Sequence, residues 1–108
     1  MLGPIAQRIG NLLARGSVAA ADGARKMRTL QLRLLAGETK DAVEHFEPYG
    51  FSAEPHAGAE ALAAFFDGDR SHGVCLVVAD RRYRIRNMMA GEVAIFDDLG
   101  QKVHLTRN

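Results

Sequence analysis

The sequence predicts a mainly β domain, a small barrel or sandwich of short strands. Three observations carry that expectation. Leu30, Leu32 and Leu34 alternate with Gln31 and Arg33, the period of a half-buried strand. "GVCLVVA" is a β-branched run of strand length bounded by Gly73 and Asp80. Several such short runs recur at near-regular spacing with turn residues between them. No repeat is long enough for a solenoid.

Taken in order, residues 5–14, "IAQRIGNLLA", place Ile5, Ile9, Leu12 and Leu13 at helical spacing, so a short N-terminal helix is expected, weakened by Gly10. From Gly16, "GSVAAADGARKMRTLQLRLLAGE" reads as strand, Asp-Gly turn, strand. A short strand is expected around Val43 to Phe46. "EPYGF" and "EPHAG" then form a connection shaped by Pro and Gly, with Tyr49 and Phe51 folded onto the edge of the core. "AEALAAFF" has helix-favouring Ala and Leu, but it is short and runs into a Gly turn, so a strand is expected. "GVCLVVA" is the next strand. "DRRYRIRN" alternates Tyr83 and Ile85 with arginines and reads as another. "GEVAIFDDLGQKVHLTRN" reads as two strands around "DDLG".

Composition bounds the function. The 108 residues suit one domain, with 47% hydrophobic residues, 6% aromatic residues and no Trp, so the core should be thin and aliphatic. A net charge of +1 gives no general attraction to nucleic acid or anionic membrane. The single Cys excludes an intrachain disulfide, and there is no secretory signal or membrane-length apolar run. A soluble protein kept in a reducing cytoplasm is expected.

"DGDRSHGV" is the densest cluster of reactive side chains. Asp67, Asp69, His72 and Cys75 mix hard and soft donors, and His45, His56, His72 and His104 are scattered without a metal-binding pattern. Ser71 and His72 are sequence neighbours, and no G-x-S-x-G elbow is present. A hairpin turn accounts for the cluster better, with Gly68 and Gly73 permitting the reversal. Cys75 should pack as a small hydrophobe. Arg82, Arg84 and Arg86 should form the wet face of a strand, and Asp41, Glu44 and Glu47 a solvated acidic face. No phosphate-binding Gly-rich loop is present. Nothing points to catalysis, a cofactor or a metal.

Five segments together resemble a known family: "LQLRLLAGE", "VEHFEPYGF", "PHAGAEA", "GDRSHGV" and "GEVAIFDDLGQKVHL". From about Ala14 onward the chain is similar to the N-terminal part of the Mu-like phage baseplate spike, the baseplate assembly protein V family. The resemblance implies a small OB-like Greek-key barrel over residues 16–88. Residues 1–15 would be a helical lead, and 89–108 a C-terminal hairpin starting a trimeric shaft. It further implies a structural component of a contractile tail without enzymatic activity, a homotrimer located in the virion baseplate. Its partners would be a baseplate hub protein and, through a shaft beyond Asn108, the host outer membrane. Val93, Ile95, Phe96, Val103 and Leu105 are the candidate trimer contact, because a free two-stranded ribbon cannot bury them alone. The shaft and its metal-binding tip have no counterpart here, so tip residues are not carried over. The competing reading is an OB-type nucleic-acid-binding module using "RRYRIR". A metal-dependent hydrolase using His72 and Asp69 is a third.

Overall fold

The computed structural model describes residues 13–34, 37–65 and 73–107. All regular structure among them is strand: β1 (Leu13–Asp22), β2 (Thr29–Leu34), β3 (Thr39–His45), β4 (Glu60–Phe65), β5 (Gly73–Ala79), β6 (Val93–Phe96) and β7 (Lys102–Leu105). The first five close into a barrel in the order β1-β2-β3-β5-β4, and β6 and β7 form a separate two-stranded sheet. This architecture fits the OB-like barrel.

The helix expected over 5–14 falls mostly outside the described residues. Its last two positions are strand: Leu13 pairs with Ala64 and Ala14 with Ala63. Pairing with β4 overrides the local helical spacing there. A second correction concerns "DRRYRIRN", which is not a strand. The Asp80 carboxylate accepts the Arg82 N–H at 3.1 Å, and the Tyr83 N–H donates to the Asp80 carbonyl at 3.2 Å. This side-chain cap turns the backbone away from an extended path, whatever the alternation suggests.

β1 and β2 form a hairpin in which the Ala24 N–H donates to Asp22 Oδ1 at 3.0 Å. β2 and β3 are antiparallel with a bulge, where Ala42 takes a positive φ of 54° and the Gln31 amide donates to Asp41 Oδ1 at 2.6 Å. β4 pairs with both β1 and β5. The last seam is parallel and short: Glu44 sits opposite Val74 and His45 opposite Cys75. The Phe46 N–H extends it by donating to the Cys75 carbonyl at 3.2 Å.

Alternate side chains from these strands fill the interior. Val18, Leu30, Leu32, Leu34, Val43, Phe65 and Cys75 are buried against Ala59, Ala61 and Ala63. The alanines of β4 leave room for the Phe65 ring. Gly73, opposite Phe65, completes that fit: a Cβ there would run into the Phe65 ring. Gly73 is therefore required for space at the start of β5.

Two predictions follow from this packing. Gly73→Ala should destabilise the barrel by about 1–3 kcal/mol through overpacking against Phe65, read as a lower melting temperature. The second concerns pH. His45 is buried with no partner for Nδ1, and burial lowers its pKa from the ordinary value of 6.5. Glu47 opposes that shift and Arg28 adds to it. The unfolded chain then takes up a proton at a higher pH than the folded chain does. Stability should be complete above the unfolded value and fall as the pH drops from there toward the folded one. Thermal melts of the protein and of His45→Leu between neutral pH and pH about 5 should show a flatter profile for the variant.

Candidate functional site

Of the clustered residues in "DGDRSHGV", Asp67, Gly68, Asp69, Ser71 and His72 lie outside the described residues. The flanking strands pair antiparallel up to Phe65 opposite Gly73. Cys75 is fully buried in the barrel, and burial pushes its thiol pKa up, so it is no nucleophile. Among the described residues no cluster of three or more His, Cys, Asp or Glu is arranged to hold a metal ion.

Two arginines of the basic segment, Arg81 and Arg82, are engaged within the chain. Arg82 donates from Nε and Nη2 to the Asp80 carboxylate at 2.8 and 2.7 Å, and from Nη2 to the Ala57 carbonyl at 3.1 Å. Arg81 binds Glu60 through two nitrogens, and Arg15 Nη2 donates to the same carboxylate at 2.7 Å. The bonds from Arg81, then Arg15, hold the Glu60 carboxyl below its ordinary pKa. A phosphate backbone would have to compete with these carboxylates.

The C-terminal hairpin has a different character. β6 and β7 pair with Val93 opposite Leu105 and Ile95 opposite Val103, which puts these four side chains on one face. Each remains 57–65% exposed. Phe96, grouped with them in sequence, pairs with Lys102 and points to the other face, because successive side chains in a strand alternate. There it lines a groove of about 850 Å³ with His56, Val78, Tyr83, Arg84 and Asp98.

Both ends of the hairpin are fixed. At its tip, Asp97 Oδ1 accepts the N–H groups of Leu99 and Gln101 at 3.0 and 2.8 Å, and Gly100 adopts a φ of 88°. At its base, the Glu92 carboxylate accepts the Met89 N–H at 3.2 Å, the Arg107 N–H at 3.1 Å and a contact from His104 Nε2 at 3.2 Å. The Met89 N–H foremost, with the other two, holds the Glu92 carboxyl below its ordinary pKa. The tip also touches the barrel: Asp98 Oδ2 lies 2.7 Å from His56 Nε2, and the Tyr83 ring packs on His56 with centroids 5.4 Å apart.

A second exposed surface was not foreseen. Phe46, Tyr49 and Phe51 face solvent, against the expectation that Tyr49 and Phe51 cover the core edge. The Phe51 N–H donates to the Pro48 carbonyl at 3.0 Å and Gly50 has a φ of 92°, which makes a type II turn with Tyr49 at its corner. "PYGF" was the available signal, since a corner residue of such a turn points outward.

The hairpin tip generates one prediction. Gly100→Val should cost about 1–2 kcal/mol locally, because Val disfavours the left-handed region. Amide exchange should accelerate in β6 and β7 while the barrel melting temperature stays unchanged. Equal acceleration in the barrel would show that the two parts open together.

The family described as "Bacteriophage Mu Gp45, N-terminal" matches residues 15–82. A protein of Escherichia phage Mu named "Baseplate puncturing device gp45" is 38% identical over 108 residues, which is 100% of this chain and 55% of that protein. The "Mu-like prophage FluMu protein gp45" of Haemophilus influenzae is 34% identical over 108 residues, 100% of this chain and 59% of that protein. The chain thus spans little more than half the length of these relatives.

Proposed function

The chain belongs to the bacteriophage Mu Gp45 N-terminal family, and we propose that it is the barrel head of a baseplate spike. In this reading it is a structural part of a contractile phage tail, located in the virion baseplate, and it performs no catalysis. The whole-chain similarity to a protein named as a baseplate puncturing device supports the role. The observation that carries the assembly is the uncovered hairpin face of Val93, Ile95, Val103 and Leu105.

Two short strands with four aliphatic side chains on one open face are marginal in water alone. Three copies around an axis would cover these faces mutually and leave no open strand edge. The barrel of about residues 16–88 would then sit at the baseplate against a hub protein. The hairpin of 89–108 would lead along the axis into a shaft that reaches the host outer membrane. The nucleic-acid module is the weaker reading, because Arg81 and Arg82 are already paired with Glu60 and Asp80.

Light scattering coupled to size exclusion, on the full-length protein, tests the assembly. A trimer is expected, and a double substitution Ile95→Asp with Val103→Asp should weaken it at least about tenfold, since each buried aliphatic side chain contributes on the order of 1.5–3 kcal/mol. A full-length chain that stays monomeric at high concentration would sink the spike reading. Tight, steeply salt-dependent binding of single-stranded DNA would favour the module instead.

A further inference from the structure

We infer that the aromatic turn over residues 46–51 is a docking surface for a different protein, one that offers an apolar socket rimmed by Lys and Arg. Tyr49 is 103% exposed, Phe51 58% and Phe46 54%. Large apolar groups held this far into water are unfavourable, and ordinary loops fold them inward. Here the backbone prevents that. The type II turn fixes Tyr49 at its corner, and the Phe46 N–H ties the start of the turn to the β3–β5 seam.

A polar buttress behind the turn makes the display rigid. The Glu47 carboxylate accepts the Ala53 N–H at 2.7 Å, the Ser52 hydroxyl at 3.0 Å and Arg28 Nη1 at 2.7 Å. Arg28 also donates from Nε to Glu54 at 2.8 Å. Both side chains of the Arg28–Glu47 pair are largely buried, 14% and 19% exposed. An aromatic anchor on a fixed backbone gives up little conformational entropy when it docks, so more of the energy of burying the rings is left for binding. The chain orders these rings before any partner arrives.

Charge selects the partner. The segment 41–54 carries Asp41, Glu44, Glu47 and Glu54 and no Lys or Arg. Among the described residues Arg28 pairs with Glu47 and Glu54, which leaves Asp41 and Glu44 without an ion pair. Nucleic acid and anionic lipid are therefore repelled, although the aromatics alone would suit base stacking. Docking onto the hairpin of a second copy is disfavoured too: its tip carries Asp97 and Asp98, which would meet these acids with like charge. A socket with a basic rim satisfies both the rings and the carboxylates of Asp41 and Glu44. This inference stands apart from the trimer, which uses the hairpin.

The test places a photo-crosslinking benzoylphenylalanine at position 49 of the full-length protein, in cells of its native host. The same probe at position 99, on the hairpin tip, serves as control. We expect adducts to a different polypeptide, mapped to a segment in which apolar residues are flanked by Lys or Arg. Phe46→Ser with Phe51→Ser should cut the yield at least about fivefold with an unchanged melting temperature. Glu44→Lys, which leaves all three rings in place, should cut it severalfold. Adducts only to another copy, only to nucleic acid, only to a segment without basic residues, or no more than at position 99, would each overturn the inference.

Discussion

The parallel seam between β3 and β5 is the constraint on which the rest of the molecule rests. Four antiparallel pairings can form by local hairpins or by β4 reaching back to β1, but together they leave two open edges, on β3 and β5. Only the register Glu44–Val74 and His45–Cys75 removes both. The seam is short, so its buried surroundings matter more than its length. His45 and Cys75 are both buried where the two strands meet. The His45 N–H donates to the Arg28 carbonyl at 2.8 Å, which links the seam to the chain just before β2. Closing the barrel therefore also sets the Arg28–Glu47 pair and everything it supports.

The buried core and the exposed apolar surfaces lie in separate parts of the chain. The barrel satisfies its own backbone and buries a compact set of aliphatic groups with one Phe. Outside it, the hairpin face and the aromatic turn keep apolar side chains in water. A monomer gains nothing from either exposure, whereas a part that must be fitted between other parts does. The contrast extends to the charges. Arg15, Arg28, Arg81 and Arg82 are held by carboxylates of the same chain, which takes these four charges out of competition for partners.

How far the sequence discloses this structure depends on which force set each element. β2 is legible because burial determines it, Leu30, Leu32 and Leu34 sharing one face, and β5 is legible from its β-branched Val74, Val77 and Val78, although only Cys75 in it is buried. β4 is legible from length and punctuation despite its alanines. "RRYRIR" misleads because its alternation imitates a strand, while the decisive group is the neighbouring Asp80 carboxylate. Leu13 and Ala14 mislead because their strand partners lie some fifty residues away, at Ala64 and Ala63. The hairpin and its register are readable from "EVAIF" and "KVHL", yet Phe96 parts company with Val93 and Ile95 by simple alternation. The outward aromatics could not be inferred from hydrophobicity, which predicts the reverse. They depend on a carboxylate buttress built from Arg28, Glu47 and Ser52, residues from two separate loops.

The sequence contains one cysteine, and the barrel seals it off entirely. Its thiol donates weakly to the Val77 carbonyl at 3.6 Å and stands at the seam that closes the sheet. Burial also disfavours the thiolate, the form that reacts with alkylating reagents. The rate of modification at Cys75 is thus a clock for opening of the barrel. Hairpin fraying leaves that clock untouched, while parting of β3 from β5 sets it running. The chain thus carries a single chemical stopwatch, set at the joint that closes the sheet.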